Sequence, residues 1–252
     1  MTTAATTTRP RPPFVAILAY TLRTCLAGRR AIGIGVACVA TILFGLLATT
    51  MGGSDERAFA AVSNLGLYGL VLPVTCLVVG DAVLGAEVRS GSFAFTWLAP
   101  VPTWQIAVGR WLGGALVAAV GLGASFALAA VIASAPESAG PAAIGAATGA
   151  AAYVAIFIAI GCIARRAAAW SLAYVFLIER LLGAALAGIA QLSPTWLSQA
   201  VFLGLAGGPE DYQREGIPQG GAAIVRLAII TVVALVVASR RLHTLRISGS
   251  SD

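Results

Sequence analysis

The sequence predicts an all-α integral membrane protein: six transmembrane helices, an N-terminal interfacial helix and an outer re-entrant hairpin before the last span. Three observations carry this. First, 59% of the 252 residues are hydrophobic and 10% charged, with a mean hydropathy of +0.91, whereas soluble domains carry roughly 25% charged residues. Second, the chain contains long uncharged runs, among them 31–51, 58–80, 111–136 and 138–164. Each reaches the roughly 20 residues that a helix rising about 1.5 Å per residue needs to cross about 30 Å of hydrocarbon. Alternation of the kind a membrane barrel requires is absent from these runs. Third, the arginines sort by side once the spans are placed.

The expected spans are 31–51, 60–82, 106–133, 141–164, 167–189 and 220–239. With that layout Arg9, Arg11, Arg23, Arg29, Arg30, Arg89, Arg110, Arg165, Arg166, Arg240, Arg241 and Arg246 fall on one side, against Arg57 and Arg214 on the other. Cytoplasmic loops retain arginine, so both termini are expected in the cytoplasm. Residues 1–13 read as a disordered cytoplasmic tail without a signal peptide's apolar core, 14–246 as a single membrane domain and 247–252 as a second cytoplasmic tail. Before the first span Phe14, Leu18, Leu22 and Leu26 recur every four residues, with Arg23 on another face. That spacing gives either an amphipathic helix on the inner surface or an extension of the first span.

The run between Arg180 and Glu210 is long enough for a seventh span, but that crossing would carry Arg240, Arg241 and Arg246 outside. Gln191, Ser193 and Pro194 also interrupt it. A pair of short helices entering the outer leaflet and returning is expected instead, packed on the bundle because exposed irregular backbone cannot sit in lipid. Gly145 and Gly149 form a small-xxx-small pair suited to close helix packing.

Composition excludes several chemistries. All 16 basic residues are arginine, so the lysine-bearing phosphate loop of ATPases is missing. The single histidine, His243, lies near the C-terminus, which leaves no zinc motif and no Ser/His/Asp set; no catalytic residue and no metal are expected. Cys25, Cys38, Cys76 and Cys162 show no paired spacing and read as small buried hydrophobes. Charges within the spans stand out, since each costs about 2.5–3.5 kcal/mol at the bilayer centre. Glu179 and Arg180 interrupt the fifth span and Arg226 the sixth. Counting residues places Glu179 about 12 Å and Arg226 about 9 Å below the outer edge, so an ion pair between them is expected. Such a pair either pins the hairpin or serves gating or substrate contact.

One segment breaks the apolar pattern. In "GDAVLGAEVRSGSFAFTWLAPVPTWQIAVGRWLGG", Gly80 to Gly114, two short turns rich in aromatics end at Pro100 and Pro102, with Thr103 placed to cap the next helix. Such a segment is either an aromatic belt at the headgroups or a surface for a partner. The stretch resembles the signature of the ABC (ATP-binding cassette) type-2 permease family through Asp81, Glu87, Ser90 with Gly91, Phe95 to Leu98, Pro100 and Arg110. Where the family commonly has lysine ahead of the third span, this chain has arginine or none.

The resemblance implies a permease subunit of an ATP-driven exporter that moves an amphipathic small molecule, lipid or peptide outward across the bacterial cytoplasmic membrane. It also implies that the cytoplasmic loop 86–105, with about two helical turns over Ser92 to Leu98, is a coupling helix that docks on a separate ATPase. Glu87 and Arg89 would make rim contacts and Phe93, Phe95, Trp97 and Leu98 the buried anchor. No cofactor is expected in this chain; ATP and Mg would belong to two ATPase copies. A second permease copy or a sister permease completes the expected complex, with the lipid bilayer and without nucleic acid. The alternative from another class is an ATPase-independent secondary transporter or channel, against which the chain shows no duplicated halves or matched pair of interrupted helices. An intramembrane enzyme is disfavoured by the lack of a buried histidine and paired aspartates.

Overall fold

The computed structural model describes residues 12–51, 55–85, 101–164, 166–208 and 210–244, and these contain helices and connecting turns with no strand. Helix α1 is Pro13–Leu26 and α2 is Arg29–Thr50. A turn at Ala27 and Gly28, the latter at φ 59°, separates them, so α1 is a helix of its own and not an extension of the first span. Its inner face does not follow the Leu18 and Leu22 stripe. Thr21 and Cys25 are buried, Leu18 and Leu22 are half-buried, and Arg23 is exposed.

Helix α3 covers 55–85. It begins as Asp55–Val62, widens into a π-helix over Ser63–Val71, returns to α geometry over Leu72–Gly80 and ends in a second π stretch, Asp81–Gly85. Pro73 supplies the reason for the first π stretch: its ring crowds the carbonyl four residues back and it has no N–H to donate. The chain answers with an i→i+5 bond from the Leu72 N–H to the Leu67 carbonyl.

Helix α4 is Thr103–Ile132, and α5 is Ala139–Ile163 after a 3-10 turn at Pro136–Ser138. Thr103 is not the cap that was expected: Pro102 holds that position with extended backbone, and no side chain caps the helix. The Gln105 N–H instead bonds to the Pro102 carbonyl at 2.9 Å.

Helix α6 covers 167–185 as Ala167–Ala173, a π-helix Tyr174–Leu182 and a last turn Gly183–Ala185. An extended Leu186 then breaks the chain, so the expected fifth span, 167–189, ends four residues early. Two short helices follow, α7 Ala187–Ala190 and α8 Pro194–Ala206. Pro194 occupies the first turn of α8, where a missing N–H costs nothing, and Gly207 closes it in the left-handed region at φ 63°. After a 3-10 turn at Glu210–Tyr212 the chain ends in α9, Gly221–Thr244.

Among the described residues, five helices are long and apolar enough to cross a membrane: Arg30–Thr50, Asp55–Val83, Thr103–Ile132, Pro136–Ile163 and Gly221–His243. They match five of the six expected spans to within a few residues at most ends. Helix α5 is the axis of the bundle, packed against α3, α4, α8 and α9. Its alanines and glycines permit this. A Cβ on Gly145 would lie 2.6 Å from the Tyr68 hydroxyl and 2.8 Å from the Ser198 carbonyl, so this glycine is where α3 and α8 come down onto α5. The small-xxx-small pair therefore does pack helices, as membrane bundles require.

An aromatic knot fills the space beside it. The Phe202 ring meets Phe59 edge-on at 5.7 Å and stacks on Tyr68 at 5.8 Å, while Phe126 meets Tyr68 edge-on at 5.3 Å. Each such pair contributes about 0.5–1.5 kcal/mol beyond its burial. The periphery shows the opposite pattern. On α9, Ala223, Leu227, Thr231, Ala234, Ala238 and Leu242 face inward, while Val225, Ile229, Val232, Val233 and Val236 are exposed. Apolar side chains on the outer face suit a lipid surrounding.

Candidate functional site

The expected coupling residues Glu87, Arg89, Ser90, Gly91, Phe93, Phe95, Trp97 and Leu98 lie outside the described residues. The base from which that segment springs is described. Arg110, one helical turn and more into α4, is only 3% exposed. Its guanidinium donates to the Val83 carbonyl at the end of α3, 2.6 Å away, and lies 5.6 Å from the Tyr20 ring of α1. One arginine thus links α4 to the last turn of α3 and to the middle of α1. The fit is steric as well: α1 lies along α4 because Gly109 and Gly113 leave room for Ile17 and Thr21.

The second polar constellation sits within the bundle. Glu179 is 1% exposed and projects from the π-helical part of α6. A π turn absorbs an extra residue and re-aims the side chains beyond it, which is why such turns recur at functional sites. Ala167, Ser171, Val175, Glu179 and Gly183 recur every four residues as the buried stripe of α6, against exposed Trp170, Phe176, Leu177 and Leu181. Glu179 is the carboxylate of that stripe, and its Oε2 accepts from the hydroxyls of Tyr153 on α5 and Thr195 on α8. Tyr153 and Thr195 also bond to each other, and Tyr174 and Ser193 face the same carboxyl. Oε1 has no hydrogen-bond partner. Hydroxyls from three helices therefore converge on one carboxylate, an arrangement that satisfies part of an anion's need and leaves the rest open.

The ion pair expected between Glu179 and Arg226 is not formed. Arg226 donates to Gln191 Oε1 at 3.0 Å, beside the turn that joins α7 to α8. Arg180 turns to the other side of α6 and donates to the Leu65 carbonyl at 3.2 Å, in the space left by Gly69 in the π stretch of α3. Counting residues along a helix gave comparable heights for Glu179 and Arg226 but no azimuth, and the azimuths differ. Both arginines still act on the segment that contains α7 and α8 or on the helix before it.

A small, partly open cleft lies between α8 and the loop before α9, lined by Trp196, Gln199, Leu203, Tyr212, Arg214 and Gln219 among others. Arg214 stacks over the Trp196 ring at 4.8 Å and donates to the Gly183 carbonyl at 2.6 Å. Both polar atoms of the buried Gln199 amide lack a partner.

Sequence reasoning singled out Glu179, Arg180 and Arg226 and missed Tyr153, Thr195 and Gln191, which partner two of them. Tyrosine, threonine and glutamine scattered in apolar runs carry no spacing signal, because their partner is a helix distant in sequence. Among the described residues no group of three or more histidine, cysteine or acidic side chains is placed to hold a metal ion. No protein-family model matches the chain, and no curated protein matches it either.

Proposed function

We propose that the chain is the permease subunit of an ATP-driven exporter of the ABC type-2 kind, which moves an amphipathic molecule outward and takes its energy from a separate ATPase. The observation that carries this reading is the buried Arg110 of α4, which donates to the Val83 carbonyl near the end of α3 and lies over the Tyr20 ring in the middle of α1. A segment that only decorates the headgroup region needs no stiff base. One that transmits a push from a soluble partner does, because compliance at the root would dissipate the displacement. The order of elements agrees: a helix ahead of the spans, the polar segment between the second and third, and two short helices before the last.

In this reading α6 is the fifth of six crossings, α7 and α8 form the re-entrant hairpin on the outer side, and both termini are cytoplasmic. The chain is not itself an enzyme. ATP and Mg are held by two ATPase copies, and a second permease, identical or sister, completes the pathway in a bacterial cytoplasmic membrane. The resemblance stands on about 35 residues of sequence, Gly80 to Gly114.

The test is co-purification with the ATPase encoded beside it, followed by ATPase assays in lipid. Trp97→Ala and Glu87→Arg are each expected to abolish substrate stimulation of ATP hydrolysis while the permease still folds and reaches the membrane. Unchanged stimulation in both variants, or solute movement by the purified permease alone, would overturn the reading.

A further inference from the structure

The exporter reading leaves the exported molecule unspecified, and on that reading we infer that Glu179 is the point at which a protonated amine of the exported molecule is recognised. Glu179 is the only acidic side chain among the described residues that is buried. A carboxylate so far from water needs a cation or a full set of donors. The donors are unevenly placed: Oε2 takes the hydroxyls of Tyr153 and Thr195, Tyr174 and Ser193 also face the carboxyl, and Oε1 makes no hydrogen bond.

Among the described residues no arginine of the neighbouring elements fills the gap. Arg180 is committed to the Leu65 carbonyl, Arg226 to Gln191 and Arg214 to the Gly183 carbonyl. The surroundings suit an ammonium group. It brings three N–H donors, one for Oε1 and two for hydroxyl oxygens already grouped there. An uncharged alcohol can give Oε1 one donor but brings no charge to offset the carboxylate's.

Access follows from how α6 is held. Only a narrow stripe of small residues with Val175 and Glu179 rests on the bundle, and the opposite face is exposed. Movement of α6 away from α5, the helix it packs on most, would open Glu179 sideways while leaving the aromatic knot of α3, α4 and α8 intact. The cation would then replace the missing partner at Oε1 in the occupied state.

The measurement is equilibrium binding of radiolabelled dodecylamine and dodecanol to the full-length permease in lipid nanodiscs, wild type against Glu179→Gln and Glu179→Asp. Glu179→Gln should weaken dodecylamine binding at least tenfold and leave dodecanol binding within twofold, with Glu179→Asp recovering part of the amine affinity. Equal amine binding by wild type and Glu179→Gln overturns the inference, as does a parallel loss of both probes. The assay contains no ATPase. Failure to find an ATPase partner would sink the exporter reading alone, while indifference of amine binding to Glu179 in a permease that does bind its ATPase would sink this inference alone.

Discussion

Two buried polar side chains in this bundle differ in their surroundings. Glu179 gathers hydroxyls from α5 and α8 onto one oxygen, so truncating any member leaves the others short. Gln199 on α8 is 3% exposed and neither its Nε2 nor its Oε1 is bonded. A buried amide with no partner costs about 1–3 kcal/mol relative to an apolar group of the same shape. Gln199→Met, which keeps the length of the side chain and discards both polar atoms, is therefore expected to stabilise the protein by about 1–2 kcal/mol. Thermal unfolding in detergent checks this. A lower midpoint would show that the cleft beside Trp196 and Gln219 supplies the amide with a partner strong enough to outweigh its burial. Neither environment is legible in the sequence, where Gln199 and Tyr153 are isolated polar letters in apolar runs. Glu179 was legible, because a charge in a span is costly wherever it points.

At the scale of the helix, the two kinds of glycine on the central elements separate by what they touch. Gly145 of α5 lies under the Tyr68 hydroxyl and the Ser198 carbonyl, at 2.6 and 2.8 Å from where a Cβ would be, and the second of these is backbone that cannot rotate away. Gly121 of α4 has Ile34 at 3.7 Å, an ordinary contact. Gly145→Ala should destabilise by about 1–3 kcal/mol through overpacking between α5 and α8. Gly121→Ala should be neutral or gain about 0.5–1 kcal/mol from helix propensity. The two midpoints, measured side by side, moving together would contradict the packing. The small-residue spacing was visible in sequence, and so, to within a few residues, were the limits of five of the six expected spans, because length and charge set them. The π stretches were not. Pro73 shows why: a proline within a span signals a disturbance, but whether the helix kinks or widens depends on neighbours that sequence order does not place. Arg226 teaches the same lesson, since rise per residue gives a depth and only packing gives a direction.

For the whole molecule the deciding element is α6. Among the described residues five helices are long and apolar enough to cross, and an odd number of crossings would put the termini on opposite sides of the membrane. Helix α6 has 19 helical residues over 167–185, about 28 Å if all were α-helical, slightly less than a hydrocarbon core of about 30 Å. Its π turns shorten it further. Two features compensate. Arg165 and Arg166 precede it at one end, Arg214 meets the Gly183 carbonyl at the other, and charges at both ends let a short helix span by thinning the bilayer locally. The charges it carries inside have polar contacts, Glu179 with hydroxyls at Oε2 and Arg180 with a carbonyl, which lowers the cost of a crossing. With α6 across, Arg9 and Arg11 share a side with Arg240, Arg241 and Arg246, as retention of arginine in the cytoplasm requires. Single cysteines at Thr7, Asp211 and Ser250, in a background with the four native cysteines replaced, separate the two layouts in intact cells. A membrane-impermeant maleimide should label the Asp211→Cys protein and spare both Thr7→Cys and Ser250→Cys. Labelling of Ser250→Cys but not Thr7→Cys would mean five crossings, with α6 lying along one face of the bundle and Glu179 no longer beside the path of an exported molecule.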